Sequence, residues 1–151
     1  MKRRRLIVSS LIGVVVLAVS TLTGCLSGRV SDGVPEVPEE AEVPDYTLAS
    51  EESLGDGVTT HIERNIFVDD VDSLSDRDLE LLATEQVIDV VDSRRVNAVT
   101  VFVYESGDDP GGAASARIEW APGGDISRTD EASTGDYSKH EFSVERLVGQ
   151  L

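Results

Sequence analysis

Two histidines, one cysteine and a run of carboxylates are the side chains of this 151-residue chain best suited to chemistry beyond folding. His61 and His140 fall on separate predicted strands and could meet across a sheet. Two imidazoles with a nearby carboxylate bind zinc, and one imidazole beside Ser and Asp activates a nucleophile. No HExxH, GxSxG, P-loop or dinucleotide glycine pattern accompanies them. A histidine on a strand surface more often completes a side-chain pair, so neither is assigned a catalytic or metal-binding role. Asp69, Asp70, Asp72, Asp76, Asp78 and Glu80 are dense enough to raise calcium. An EF-hand loop wants acids or amides at its first, third and fifth places, a Gly at the sixth and a Glu at the twelfth. Counted from Asp70, Leu74 stands fifth and Ser75 sixth, so the spacing fails, and helix capping on an acidic surface accounts for the same residues. Trp120 and Tyr137 would serve sugars or partners if exposed; the expectation is that they pack in the core or at a sheet edge.

The charge is strongly lopsided. Asp and Glu number 29 against 13 Lys and Arg, giving −16 with His neutral. Such a chain repels phosphate, which excludes a nucleic-acid partner. Every acid lies after residue 31, whereas Lys2, Arg3, Arg4 and Arg5 crowd the start. An apolar run from Leu6 to Val19 follows, interrupted by Ser9, Ser10 and Gly13, and then the tetrad Leu22-Thr23-Gly24-Cys25. A basic start, an apolar stretch and small residues before a cut site describe a secretory signal over residues 1–24. The run is shorter than the ~20 residues needed to cross a ~30 Å hydrocarbon core.

The tetrad resembles the lipobox of prokaryotic lipoproteins. That resemblance implies cleavage before Cys25, lipid on its thiol, and a place on the outer face of the cell membrane. One acyl chain anchors only marginally, so durable attachment needs a second chain or another contact. Arg3-Arg4-Arg5-Leu6-Ile7 resembles a twin-arginine export signal; a general secretory signal also tolerates three arginines, so both routes stay open. Without residues 1–24 the chain stands at −20 over 127 residues, with Lys139 its single lysine against eight arginines. This composition resembles proteins of extreme halophiles, particularly haloarchaea. Short carboxylates hold hydrated cations, and strong salt screens their repulsion to a Debye length near ~3 Å at 1 M. The competing reading makes the acids a specific site for a cation or a basic partner.

The elements that must position these residues follow from periodicity. Residues 25–45 read as the lipidated Cys25 and an acidic tether: no aromatic, Pro35, Pro38 and Pro44, and Glu36, Glu39, Glu40, Glu42 and Asp45. Extended polyproline at ~3.1 Å per residue would let it hold a domain up to ~60 Å from the lipid. A single domain occupies residues 46–151, where all the aromatics lie. Tyr46 to Ser50 alternates as a short strand, Gly55-Asp56-Gly57 turns, and Val58 to Val68 alternates again. Ser75 caps a helix over 76–91, with Asp76 and Asp78 at its positive end and Leu79, Leu82, Ala83, Gln86, Val87, Val90 and Val91 on the buried stripe. Val96 to Tyr104 is a central strand apolar on both faces, and Ala114 to Ala121 is another. The polar stretch 126–136 is a loop, and Tyr137 to Val148 carries a last strand with Phe142 and Val144 facing in.

The order β-β-α-β-β-β predicts an α+β domain: an antiparallel or mixed sheet of about five strands with one helix across one face. A helix-poor β-barrel is the runner-up. The strings Ile118-Glu119-Trp120-Ala121-Pro122-Gly123-Gly124-Asp125 and Thr134-Gly135-Asp136-Tyr137-Ser138-Lys139-His140-Glu141-Phe142 resemble a small domain of uncharacterised prokaryotic secreted proteins and lipoproteins, a resemblance that implies a fold and no activity. The reading that results is a membrane-anchored binding or interaction module adapted to high salt, without a cofactor, with a protein partner at the cell surface. Its rivals are a small extracytoplasmic hydrolase using His61 or His140, and a cation-binding surface protein centred on the acids at 69–80.

Overall fold

The computed structural model describes residues 33–56 and 58–147; Arg3, Arg4, Leu22, Thr23, Gly24 and Cys25 lie outside the described residues. The first hairpin joins β1 (Thr47–Gly55) to β2 (Thr60–Val68). Asp56 makes its turn, Oδ1 accepting the amides of Val58 and Thr59, each at 2.9 Å. After a 3₁₀ turn at Val71–Ser73 comes α1 (Asp76–Ser93), then β3 (Ala98–Glu105), β4 (Ala116–Pro122), a 3₁₀ segment at Ile126–Glu131, and β5 (His140–Arg146). The sheet runs in chain order, β1 to β5. Its β2–β3 pair is parallel and the other three are antiparallel, so the sheet is mixed and α1 is the crossover that parallel neighbours require. The result is a small α+β domain; the sheet is open, with β1 and β5 as its edges, and the barrel alternative does not form.

Local chemistry explains α1. Ser75 Oγ accepts the Asp78 amide at 3.2 Å while Asp78 Oδ2 accepts the Ser75 amide at 2.8 Å, a reciprocal cap that satisfies two otherwise orphaned donors. The stripe Leu79, Leu82, Ala83, Gln86, Val87 and Val90 is buried. Facing it are Ile62, Ile66 and Val68 of β2, Val99, Val101 and Val103 of β3, and Ile118 and Trp120 of β4. Leu81 and Thr84 are buried as well, away from that stripe. Residues 33–45 help to explain this: Glu36 and Pro38 face Arg77, Glu80, Leu81 and Thr84 across a 220 Å³ groove, and Val34 and Val43 pack against the core. At Gly33 a Cβ would stand 1.8 Å from the Tyr137 carbonyl oxygen, so only glycine permits that approach. The later part of the stretch read as tether therefore lies along the domain.

A charged side chain is buried on the core face. Arg64, between Ile62 and Ile66 on β2, is 5% exposed. Its Nε and Nη2 donate to Glu51 Oε2 on β1 at 2.9 and 2.7 Å, Nη2 also reaches Asp89 Oδ2 at 2.5 Å, and Nη1 donates to Gln86 Oε1 on α1 at 3.0 Å. Glu51 Oε1 takes a second guanidinium, from Arg94 just beyond the helix, at 2.5 Å. Hydrogen bonds from Arg64 hold the Glu51 carboxyl below the usual carboxylate range.

Removing one partner of an enclosed pair leaves the other desolvated and alone, at about 3 kcal/mol. Arg64→Ala should therefore lower unfolding stability by about that amount. Arg64→Lys should not restore it, because a point charge cannot serve Glu51 and Gln86 in the same fork. Asp89→Ala, at a side chain 70% exposed, should cost under about 0.5 kcal/mol. Denaturant unfolding of the three variants checks this ordering.

Candidate functional site

Strand parity decides where the histidines go. His61 pairs in register with Ala98, whereas Val99 pairs with Trp120, and Pro122, two residues beyond Trp120, pairs with His140. Consecutive residues of a strand project to opposite sides. His61 thus projects from the face away from α1 and His140 from the helix-covered face, with β3 and β4 between their strands. The expectation that the two could meet across the sheet is corrected by this register, and with it any shared metal or nucleophile-activating pair.

Each ring has local work. His61 Nε2 lies 2.9 Å from Thr100 Oγ1, and burial pushes the imidazole below its usual pKa. His140 packs 4.4 Å from Trp120 and 5.3 Å from Tyr137 between ring centroids. Its Nε2 donates to the Asn97 carbonyl at 2.8 Å, which places the neutral ring's lone pair on Nδ1, an enclosed atom without a partner. Burial lowers this pKa too, since a second proton would have nowhere to bond. Trp120 and Tyr137 are core residues, and the Tyr137 hydroxyl accepts the Val96 amide at 3.3 Å.

Asn97 organises the corner beside them. Its Oδ1 accepts the Thr60 amide and the Thr134 hydroxyl, both at 2.9 Å, and its Nδ2 donates to the Ala132 carbonyl at 3.0 Å. A 310 Å³ cleft opens there, lined by Val58, Thr59, Asn97 and residues 130–134. Every polar atom of the Asn97 side chain is already engaged, so the cleft's central residue is a brace.

Two of the acids at 69–80, Asp76 and Asp78, are spent on structure. Asp78 closes the α1 cap, and Asp76 Oδ1 takes Arg146 Nε at 2.9 Å. Asp70 adopts φ 55°, an arrangement in which Glu105 accepts the amides of Asp70 and Val71 at 2.7 and 2.9 Å. Among the described residues no group of three or more His, Cys, Asp or Glu is placed to hold a metal ion.

What remains is the sheet face opposite α1. Along β2 and the residue before it, the alternation places Thr59, His61, Glu63, Asn65 and Phe67 on the side away from the apolar core. Phe102 of β3 and Arg117 of β4 lie beside them, partly buried, while Thr100, Tyr104 and Glu119 on the same side are buried. The segment Ile126–Glu131 borders this face, the Ile126 amide donating to Glu119 Oε2 at 3.2 Å. Phe67 and Tyr104 meet edge to face at 6.2 Å. Glu52 and Glu63 are directly opposite across β1 and β2, a like-charge pair, and burial together with the Glu52 charge raises the Glu63 pKa. No family model matches the chain, and no curated protein and no solved structure is similar to it.

A carboxyl with a raised folded-state pKa favours folding below its unfolded pKa, and that contribution is lost as pH rises through the folded value. Ionised Glu63 is therefore a cost at neutral pH. Glu63→Gln should raise stability there by about 0.5 kcal/mol at low salt and by less in multimolar KCl. Below the unfolded-state carboxyl pKa, where the folded and unfolded chains both hold the proton, the gain should vanish. Chemical unfolding of both proteins across pH and salt reads the difference.

Proposed function

We propose that this chain is an exported lipoprotein, held on the outer face of the cell membrane through lipid on Cys25, which presents its α+β domain in high salt as a module that binds a protein partner. The observation that carries the binding role is the second sheet face: no long helix of the described residues covers it, and it sets partly buried Phe67 and Phe102 near two carboxylates placed directly opposite each other, Glu52 and Glu63. The lipobox-like tetrad supports the anchor. Among the described residues no helix is long and apolar enough to cross a membrane. The acidic composition supports the solvent. A hydrolase built on both histidines loses its geometry with the two rings on opposite faces, and a calcium protein centred on 69–80 loses ligands to capping.

The contacts of residues 33–45 bound the reach of the module. From Cys25 to Gly33 the chain spans at most about 28 Å fully extended. A docking face so tethered works close to the membrane rather than ~60 Å away.

Cys25→Ser should release the exported domain from the membrane fraction; a substituted protein still bound after signal cleavage contradicts the anchor. Unfolding stability should climb between dilute buffer and multimolar KCl, and a flat or falling profile contradicts the proposed solvent. For the binding role, a photo-crosslinking side chain placed in turn at Asn65 and at Asp92, on intact cells at native salt, should capture one discrete partner from at least one position. Capture from neither overturns it.

A further inference from the structure

Register turns the face opposite α1 into rows. Glu52, Glu63, Thr100, Glu119 and Ser143 stand side by side from β1 to β5, and Ser50, Asn65, Phe102, Arg117 and Glu145 form the next row. Phe67 and Tyr104 are paired one row further on. Strands lie ~4.8 Å apart, so the Glu52 and Glu63 carboxylates are near neighbours and Glu119 stands about 10 Å beyond Glu63. Arg117 is the cation of these rows, and its own face consumes it: Nη2 reaches Glu145 Oε2 at 2.6 Å and Nε reaches Glu119 Oε1 at 3.4 Å. His61 is one step along β2 from the acid row, and burial pushes its imidazole below its usual pKa. Glu52 and Glu63 have no ion-pair partner among the described residues, and the partly buried Phe102 ring lies on the row beside them.

We propose that this face docks an arginine-bearing segment of a protein partner, with the guanidinium on Glu52 and Glu63 and its plane against Phe102. The inference rests on the reading of the domain as a binding module. Charge complementarity commits the face to a cation: carboxylates without counter-charge, one of them half buried, attract a basic group and repel nucleic acid and an anionic membrane alike. The neighbouring aromatic ring commits it to arginine. A guanidinium is weakly hydrated, stacks on aromatic faces and meets carboxylates with a planar fork, whereas an ammonium is a strongly hydrated point. High salt sharpens the choice. With a Debye length near ~3 Å at 1 M, long-range steering is lost, and what persists is direct contact with a partly desolvated carboxylate and a ring.

The test uses the full chain in detergent and multimolar KCl, titrated with a short fluorescent arginine-rich peptide and with its lysine counterpart. The arginine peptide should bind about tenfold more tightly than the lysine one, a ratio worth about 1.4 kcal/mol. Glu63→Gln, isosteric, and Phe102→Leu, which keeps apolar bulk without a ring, should each weaken it about fivefold or more, while Asp92→Asn on α1 should leave it unchanged. Equal affinity for the two peptides, no binding of either, or an equal loss in Asp92→Asn overturns the proposal. The cellular crosslink separates this failure from that of the module itself: capture from Asp92 and not from Asn65 sinks this surface and leaves a binding module standing, whereas capture from neither position sinks both.

Discussion

The Arg64 guanidinium is the contact on which the arrangement of this domain depends. It enters the apolar side of the sheet between Ile62 and Ile66, and it reaches an edge strand and the helix at once, through Glu51 and Gln86. A sheet covered on one face alone leaves its edge strand poorly held, and β1 is exposed along nearly its whole length. Arg64 with Glu51, and Glu51 in turn with Arg94, supply the attachment that apolar burial does not. Enclosure matters here in a particular way. Exposed ion pairs fade in salt, but a pair whose guanidinium is nearly removed from solvent is screened less, so in the salt proposed for this protein the Arg64–Glu51 contact endures better than the more exposed Arg94 bridge.

The same distinction separates the two faces of the sheet. On the helix side the enclosed cation is saturated by carboxylate, amide and carbonyl acceptors. On the other side the half-buried Glu63 carboxylate faces Glu52 with no cation beside it among the described residues. Proteins keep local frustration where something outside completes it, and here the missing element is a positive charge beside an aromatic ring. The acids near the start of α1 contrast with this. There Asp78 closes the helix cap and Asp76 pairs with Arg146, so two of the carboxylates have partners inside the chain.

Much of the fold was legible in the sequence because it is written in short-range chemistry. Ser75 with Asp78 marked the start of α1, Asp56 marked the hairpin turn, and the alternation in β2 and β3 assigned their strands. The parallel pairing of β2 with β3 was not legible, since periodicity fixes which residues share a face and not which strand lies alongside. For the same reason the histidines could be placed on strands but not on sides, and the register that parts them became visible only with the sheet assembled. Val34 and Val43 are too sparse among prolines and acids to show a period, so their packing on the domain had no signal. Arg64 did have one: a cation between two buried isoleucines calls for an acid opposite, and Glu51 was there to be matched. The charged row on the open face could be read as a period-2 set but not as neighbours across strands.

Whether an enclosed charge contact outlasts salt is measured directly by a double-mutant cycle between Arg64 and Glu51. With Arg64→Met, Glu51→Gln and the pair together, unfolded in dilute buffer and again in multimolar KCl, the coupling energy should remain above about 1 kcal/mol in both. A coupling that falls to nothing in the concentrated salt would show the pair to be an ordinary surface bridge, and would remove the electrostatic basis claimed here for both faces of the sheet.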